Sequence, residues 1–491
     1  ERPAGAWRRG SARTGRGRTS DRPGARRRRS AARPPAACAL PSRRVRILVI
    51  GAGEVGTYIA GRLSREGHDI VVVDHRREAL DALGSQHDAL TVLGNGTSPH
   101  VLEEAGLERA ELMVAVTDRD EVNLIACMQA KRCGGIKTVA RIEDSGLRGR
   151  AGRALLDEIG VDLVLDPEGQ TAEAIHDLLV YPGATEVYEL AGGEVLVLGV
   201  RLSEDALVVG RTAVDIGTDY EPDWDFIFGA LTRNGETTVM RRDVTLQPGD
   251  LLRVVCRRRG RAELMRITGL RRTTLRRVML LGGPRTAERL GQRLTERGTE
   301  VTIIERDEAR CLELAKSNRH AKVMHGDITD IDVLESEGVG GFDAVVAGTG
   351  EDDANVLACL YAKSQGAGET VAVVHRLRLL PLLKDVGIDA ALSPRTASAN
   401  GVLQMVRGGV TSVGTFLEGD VEVLELEVSP DSRADGKQVR DLHLPGQMLL
   451  AAVSRDGNAH IARGHTQLRA RDHVVAFVTP DQAGEVKRAF D

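Results

Sequence analysis

Aromatic residues are scarce in this sequence: Phe, Trp and Tyr together make up 3% of its 491 residues. So few rings argue against the stacking platforms that bind single-stranded nucleic acid, and we predict no nucleic-acid partner. No stretch approaches the roughly 18 to 20 consecutive apolar residues that a membrane-spanning helix needs, so we expect no transmembrane segment. The 6 Cys include no Cys-x-x-Cys pair and no His at metal-ligand spacing, which favours reduced thiols and predicts no metal site.

The first 44 residues differ from the rest in composition. They contain fourteen Arg against the acids Glu1 and Asp21, a net charge of +12 in a chain whose total is −4. With almost no aliphatic residues, this segment cannot bury enough apolar surface to fold, and we expect it to be disordered. A basic arm and a transit peptide are alternatives. We favour a third interpretation, upstream sequence that is not part of the native protein, because Val45 begins the first strand directly.

The rest of the chain repeats one pattern of strand, Gly-rich turn, helix and acid-ended strand. The first turn consists of Gly51, Ala52, Gly53, Glu54, Val55 and Gly56, and it returns about 231 residues later from Gly282 to Ala287. Asp74, at the end of the second strand, likewise has Glu305 as its counterpart. The sequence therefore predicts two copies of a nucleotide-binding unit.

In the first copy the Gly-rich turn has the context that dinucleotide binding requires. Gly51 permits the tight turn, Gly53 lets backbone amides approach a pyrophosphate, and Gly56 lets the next helix lie close to the strand. Asp74 follows Gly56 by 18 residues, where a carboxylate accepts hydrogen bonds from ribose hydroxyls and repels a 2′-phosphate. We therefore predict NAD(H) or an adenosine nucleotide rather than NADP, although Arg76 lies close and softens that exclusion. A plain turn role for Asp74 is the alternative.

Two further turns of the first copy contain polar residues that could contact a ligand. Gly94 and Asn95 follow the third strand, where an adenine could lie; an ordinary loop is the alternative. After the fourth strand come the candidates Thr117, Asp118, Glu121 and Asn123. Exposed amides at the start of the helix there suit a phosphate or a ribose, but capping of that helix alone would explain Thr117 and Asp118.

The second copy keeps the scaffold and loses part of this chemistry. Its candidate ligand-binding residues are Gly282, Glu305, Gly326, Asp327 and Thr349. The position of Gly53 is taken by a proline at 284, and that of Gly56 by an alanine at 287. Because proline has no N–H and fixes its own φ, we expect a second site that is weaker, altered or specific for mononucleotides.

Between and after these units lie two short β-rich pieces that resemble each other. Neither contains a Tyr-x-x-x-Lys pair, a metal cluster or a Ser/His/Asp constellation, so we predict no catalytic residues. The expected fold class is α/β, with two Rossmann-like doubly wound parallel sheets, each followed by a small β-rich α+β domain. The predicted boundaries are 1–44 for the leader, 45–180 and 276–407 for the Rossmann domains, and 184–266 and 410–491 for the small domains.

This order of modules, with GAGEVG, AVTDRDEVN and the strand-end turns DPE and SPR, resembles the TrkA family of potassium-uptake regulators from Val45 to Asp491. The resemblance implies a cytoplasmic homo-oligomer, a ring of four subunits built from regulator-of-potassium-conductance (RCK) modules. It implies binding of NAD(H), with ATP or ADP as further ligands, and no enzymatic activity. It also implies docking on the inner face of the plasma membrane beneath a potassium-conducting subunit of the TrkH or TrkG type. Glu168 is a lesser candidate, since related regulators place an acid there against a divalent ion.

Two other functions share these motifs. An NAD-dependent oxidoreductase would also use Rossmann units, because fold does not fix function. The duplication and the small size of the β-rich pieces argue against it. A regulator of another cation transporter or antiporter would show every motif found here, and only the identity of the membrane partner would distinguish it.

Overall fold

The computed structural model describes residues 44–270, 274–407, 410–415, 421–444, 448–479 and 482–491, and in these residues four sheets follow one another along the chain. The predicted Arg-rich leader, apart from Arg44, lies outside the described residues.

The first sheet is parallel and built from strands that alternate with helices. Its elements are β1 (Arg46–Ile50), α1 (Glu54–Arg65), β2 (Asp69–Asp74), α2 (Arg77–Gln86), β3 (Leu90–Leu93), α3 (Pro99–Glu104), β4 (Leu112–Ala115), α4 (Asp120–Cys133), β5 (Lys137–Arg141), α5 (Ser145–Arg148), α6 (Arg150–Ile159), β6 (Leu163–Leu165) and α7 (Pro167–Val180). The strand order is β3-β2-β1-β4-β5-β6. Residues 47–50 of β1 are almost completely buried, as expected for an apolar strand covered on both faces. The order reverses between β1 and β4, and this is where such sheets bind ligands.

The second sheet is antiparallel. Its elements are β7 (Ala184–Leu190), β8 (Val195–Arg201), α8 (Ala213–Asp219), β9 (Phe226–Arg233), β10 (Glu236–Val239), β11 (Leu251–Arg257) and α9 (Arg261–Thr268). The strand order is β10-β9-β11-β8-β7. The tight turn between β9 and β10 places Asn234 and Gly235 at positive φ, as the Asn-Gly pair predicts.

The third sheet repeats the first. Its elements are β12 (Arg277–Leu281), α10 (Arg285–Glu296), β13 (Glu300–Glu305), α11 (Glu308–Ser317), β14 (Lys322–His325), α12 (Ile331–Ser336), β15 (Ala344–Ala347), α13 (Asp352–Ser364), β16 (Glu369–Val373), α14 (Leu380–Asp385), β17 (Ala390–Leu392) and α15 (Pro394–Arg407). The strand order, β14-β13-β12-β15-β16-β17, is the same as in the first sheet when counted from its own first strand.

The fourth sheet is antiparallel like the second. Its elements are β18 (Val410–Thr415), β19 (Glu422–Glu427), β20 (Met448–Arg455), β21 (Asn458–Ile461), β22 (His473–Val478) and α16 (Ala483–Phe490), and its strand order is β18-β19-β22-β20-β21. Short 3-10 turns occur at Leu107–Arg109, Ala191–Gly193, Arg258–Gly260, Val339–Gly341, Leu377–Leu379 and Val439–Asp441. The predicted fold class, two Rossmann-like sheets each followed by a small β-rich domain, is confirmed.

The two parallel-sheet units exchange their last helices. The apolar face of α7 packs in one core with the third sheet, where Ile175 and Leu179 join Leu280 and Leu290. In return α15 packs on the first sheet, with Val402 and other buried residues in the core that contains Val49. The helices that end at residues 180 and 407 each pack on the opposite unit. The domain boundaries predicted at these two residues stay a prediction.

The two antiparallel sheets also share a core. Val197 and Val255 of the second sheet pack with Val423 and Phe477 of the fourth. The Phe477 ring lies so close to Gly229 that a Cβ built there would be 2.1 Å from the ring. Within the described parts of the chain, every helix is too short or too polar to cross a membrane.

Candidate functional site

The Gly-rich turn after β1 has the backbone that the sequence predicts. Gly51 has φ of +108°, a left-handed conformation that favours glycine, and its N–H donates to the Val73 carbonyl at 2.8 Å. In the second copy Gly282 has φ of +96° and donates to the Ile304 carbonyl at the same distance. Both turns therefore need glycine at their first position for folding alone.

The other two glycines of the first turn differ in what requires them. A Cβ at Gly56 would lie 1.9 Å from the Gly51 carbonyl oxygen, so glycine there lets α1 approach the turn closely. Gly53 has φ of −73° and ψ of −170°, which any residue adopts, and a Cβ there would meet no atom within 4 Å. Folding does not demand glycine at 53, whereas the open space beside it suits a close-lying ligand.

The start of α1 offers backbone donors to the same space. Gly53 is the N-cap residue and makes no side-chain capping hydrogen bond. The first amides of a helix have no partner within the helix and lie at the positive end of its dipole, an arrangement that binds phosphate. The turn and the start of α1 therefore offer backbone donors of the kind that suit a diphosphate.

Asp74 is tied to the turn from the end of β2. Its Oδ2 accepts from the Ala52 N–H at 2.6 Å, and its Oδ1 accepts from the Arg76 N–H at 2.8 Å. Burial raises the pKa of Asp74, but these backbone hydrogen bonds and the Arg76 guanidinium outweigh burial and hold the pKa below its ordinary value of 3.8. The side chain is therefore a carboxylate at neutral pH, and its further lone pairs can accept hydrogen bonds from ribose hydroxyls.

The polar turns after β3 and β4 lie beside this carboxylate and the Gly-rich turn. Asn95 Oδ1 accepts from the backbone N–H and the hydroxyl of Thr97, at 3.0 and 2.9 Å, which fixes the turn. Helix α4 begins at Asp120 with Arg119 as its N-cap and without a side-chain capping bond. The explanation of Thr117 and Asp118 as helix caps is therefore wrong.

Asn123 was predicted to contact a ligand, but it lies in the protein interior. It is completely buried, and its Oδ1 accepts from the N–H and the hydroxyl of Thr117 at 2.9 and 2.8 Å. Its Nδ2 donates to the carbonyls of Thr117 and Arg141 at 3.1 and 2.9 Å. Asn355 makes the same set of bonds in the second copy. Because its amide is used inside the protein, we assign Asn123 to positioning the Thr117 turn rather than to ligand contact.

One cavity of about 710 Å³ lies between the carboxyl edges of the two parallel sheets. This volume is in the range of pockets that bind small molecules and cofactors. The predicted residues that line it are Gly51, Gly53, Glu54, Val55, Asp74, Gly94, Asn95, Thr117 and Asp118. The second unit contributes Pro284, Thr349, Gly350, His375, Pro394 and Arg395 to the same wall. Ala52, Gly56, Glu121 and Asn123 are not among its lining residues, and Glu121 is an exposed partner of Arg119.

Glu168, the lesser candidate for a divalent ion, lines the cavity and is one of two carboxylates paired with Arg141. Its Oε1 is 2.9 Å from Nη2 of Arg141, which also lies 2.7 Å from Glu143 Oε1. In the described part of the chain, no group of three or more His, Cys, Asp or Glu side chains is arranged to hold a metal ion. The cluster around Glu168 is thus an ion-pair network.

The second copy has a smaller cavity of its own, of about 430 Å³, lined by Gly282, Glu305, Asp327 and Thr349 among the predicted residues but not by Gly326. Glu305 repeats the geometry of Asp74: its Oε2 accepts from the Gly283 N–H at 2.6 Å and its Oε1 from the Asp307 N–H at 2.8 Å. Arg310, however, donates from Nε to the Gly283 carbonyl at 2.8 Å and from Nη2 to Glu288 at 2.7 Å. This ion pair lies against the turn where the first copy has the small residues Ala79 and Thr57.

Sequence reasoning missed the residues that reach these sites from a distance. Arg395 belongs to α15 of the second unit but pairs with Glu54 of the first. Arg310 and Glu288 are 22 residues apart on neighbouring helices. No sequence spacing predicts contacts between residues so far apart. The one available indication was that the second copy has a cation, Arg395, where the first copy has the acid Glu168.

Two Rossmann-type units that share one cavity, each followed by a small antiparallel sheet, define a protein with a duplicated Rossmann architecture. The family model described as the TrkA-N domain matches residues 47–167 and 278–394, and the one described as the TrkA-C domain matches residues 197–269 and 423–491. The chain belongs to the TrkA family, and the predicted resemblance is confirmed.

Individual relatives agree with this assignment. The chain is 31% identical to the Trk system potassium uptake protein TrkA of Azorhizobium caulinodans over 452 residues, which cover 91% of this chain and 98% of that protein. It is 33% identical to the TrkA homolog 1 of Methanosarcina mazei over 461 residues, covering 91% of this chain and 100% of that protein. Its fold is similar to that of the GsuK channel bound to NAD, with a TM-score of 0.59 and 17% identity over 92% of this chain and 80% of that one.

Proposed function

We propose that this protein is a nucleotide-responsive regulatory subunit of a potassium-uptake system. In this proposal NAD(H), or ATP or ADP, binds in the 710 Å³ cavity as an effector and not as a substrate. Membership in the TrkA family supports the link to potassium uptake. The observation that carries the nucleotide part is the open, uncapped Gly53 turn with the Asp74 carboxylate beside it.

Each part of the nucleotide has residues suited to it. The amides at the start of α1, from Gly53 onward, would hold the diphosphate. Asp74 would accept hydrogen bonds from the ribose hydroxyls, and the turn at Asn95 would lie beside the adenine. Thr117 and Asp118 complete the wall of the cavity on the side of β4.

Regulation in this proposal is a shift between two arrangements of the molecule. The cavity is lined by both parallel-sheet units, so a ligand there contacts both of them at once. A nucleotide that fits one relative arrangement of the units better than another shifts the population toward it, by as much as its two affinities differ. The exchanged helices α7 and α15 connect such a shift to the antiparallel sheets that follow them.

The partner in this proposal is a potassium-conducting membrane subunit of the TrkH or TrkG type. The protein would act at the cytoplasmic face of the plasma membrane as a homo-oligomeric ring of four subunits. Membership in the TrkA family supports the link to a potassium-uptake partner. Co-purification with a cation antiporter in place of a potassium-conducting subunit would favour the other transporter class.

The test is calorimetric titration of the full chain with NADH, NAD, ATP and ADP. We expect Gly53→Pro, which copies the second turn into the first, to weaken binding by about 100-fold, or roughly 2.7 kcal/mol, because it removes an N–H and fills the open space. Asp74→Ala should weaken binding similarly. The matched variant Glu305→Ala, at a residue that does not line the large cavity, should leave the affinity at the first site unchanged.

Failure to bind any of the four nucleotides would overturn the nucleotide part of the proposal. The gating part has a separate test, potassium flux through the reconstituted membrane partner with and without the nucleotide that binds. Equal flux in both conditions would show that binding is not coupled to transport.

A further inference from the structure

Arg395 is a residue of the second unit that lies at the start of a first-unit helix. It is in the first turn of α15, and its Nη2 is 2.6 Å from Glu54 Oε1 while its Nε donates to Glu54 Oε2 at 3.2 Å. The two parallel bonds fix the plane of the guanidinium. They use two of its five N–H groups, which leaves donors for another acceptor in the same plane.

Both partners of this pair line the 710 Å³ cavity, next to Gly53. Glu54 is the first residue of α1, so its carboxylate lies at the helix end whose amides suit a phosphate. Two anions at one place repel each other, and Glu54 alone would weaken phosphate binding there. A cation that contacts Glu54 removes this conflict, and Arg395 is that cation.

We propose that Arg395 completes the first nucleotide site from the second unit, with its guanidinium bridging Glu54 and a phosphate of the bound nucleotide. The inference rests on the proposed function, since it concerns the same cavity. It adds a residue from the opposite unit and a consequence for coupling. Guanidinium and phosphate match each other in bidentate geometry, which suits arginine better than lysine for this position.

The consequence for coupling follows from where α15 packs. Beyond Arg395, the buried side chains Ala399, Val402 and Leu403 lie in one core with the first parallel sheet and the fourth sheet. Helix α15 ends at Arg407, and β18 of the fourth sheet begins at Val410. A phosphate that holds Arg395 therefore fixes the start of the helix that leads into the second antiparallel domain.

The test compares ADP with adenosine, which has no phosphate, by calorimetry on the full chain. We expect Arg395→Gln to weaken ADP binding by about tenfold or more, the range for a hydrogen bond to a charged group, and to leave adenosine binding unchanged. Arg395→Lys should be intermediate because it keeps the charge and loses the fork. Glu54→Gln in the Arg395→Gln background should restore part of the ADP affinity, since it removes the uncompensated anion.

The control is Arg293→Gln, which removes another interunit ion pair, with Nη1 of Arg293 3.2 Å from Glu173 Oε1 and neither residue lining the cavity. It should bind ADP as the unchanged chain does. If the unchanged chain binds ADP and Arg395→Gln binds it equally well, or loses ADP and adenosine affinity to the same extent, the inference about Arg395 is wrong. If the unchanged chain binds neither ADP nor NADH, the proposed function fails and the inference fails with it.

Discussion

The two parallel-sheet units have the same backbone conformation at their Gly-rich turns and differ in the residues around those turns. Gly51 and Gly282 both have positive φ, and Asp74 and Glu305 both accept a turn N–H at 2.6 Å. These shared features are ones that the fold itself requires. One difference is at a position where folding leaves a choice: Gly53 has an ordinary φ and open surroundings that would tolerate the proline found in the second copy.

What fills the space beside the turn also differs. In the second copy Arg310 bonds to the Gly283 carbonyl and to Glu288, while the first copy has Ala79 and Thr57 at these positions. Both turns contribute to the large shared cavity, but only the second turn has the Arg310–Glu288 ion pair against it. The comparison teaches that the two copies keep the residues that fix the backbone of the turn, while the residues around the turn have diverged.

The largest difference in stability between the halves should come from a buried arginine. Arg233 with Asp250 and Arg455 with Asp472 form the same bidentate pair in the two small domains, at 2.7 Å for each bond. Three residues beyond each aspartate, the first domain has Arg253 and the second has Val475. Arg253 is completely buried, with Nε 3.1 Å from Glu186 Oε2 and Nη1 donating to Thr232 at 2.6 Å.

We expect Arg253→Met to lower the free energy of unfolding by about 3 to 5 kcal/mol, because it removes the cation that balances the buried Glu186 carboxylate. Val475→Ala at the matched position should cost only about 2 kcal/mol. Urea denaturation measures both. The double variant Arg253→Met with Glu186→Met should recover much of the loss, and an equally unstable double variant would contradict the charge-balance explanation.

A smaller effect should distinguish the two helices that follow the Gly-rich turns. Gly56→Ala places a methyl group 1.9 Å from the Gly51 carbonyl oxygen, so α1 has to move away and stability should fall by about 2 kcal/mol. The second copy already has alanine at 287, and Ala287→Gly should cost about 1 kcal/mol, from helix propensity together with the loss of a small buried side chain. Thermal denaturation of both variants tests this. If Gly56→Ala were neutral, α1 would not be as closely held as the structure indicates.

The smallest effect is a pH dependence confined to the second copy. Burial raises the pKa of Glu288, but hydrogen bonds from Ser317 and Arg310 outweigh burial and lower the pKa below its ordinary value of 4.5. A carboxyl group with a lowered folded-state pKa adds stability above its ordinary pKa, and this stability is lost as pH falls through the folded-state pKa. Thr57, at the matched position of the first copy, has no such group.

We therefore expect Glu288→Gln to cost about 1 kcal/mol at pH 7, with the difference from the unchanged chain disappearing as the solution is acidified. Denaturation midpoints across a pH series measure it. Glu313, which also pairs with Arg310 but is mostly exposed, is the control: Glu313→Gln should change stability by less than about 0.5 kcal/mol. A Glu288→Gln penalty that persisted at low pH would show that packing, and not charge, carries the contribution.

Much of the fold could be predicted because its signals are local. The apolar run before Gly51, the glycine at its positive φ and the acid at Asp74 lie within one strand-turn-helix-strand segment. The exchange of α7 and α15 could not be predicted, since periodicity shows that a helix has an apolar face but not which sheet buries that face. The role of Asn123 was mistaken for a similar reason, because the Arg141 carbonyl that it bonds lies on a neighbouring strand.

The sequence by itself determined that this protein is a duplicated pair of Rossmann units with small β-rich domains, because strand order, turn glycines and strand-end acids are set by residues close together in the chain. Only the tertiary structure decided that the two units share one cavity, that Arg395 meets Glu54 across 341 residues, and that Arg310 lies against the second turn. Contacts of this kind depend on how separate layers pack. Burial of apolar area drives that packing, and because this force is non-directional, local sequence spacing does not show which layers will meet.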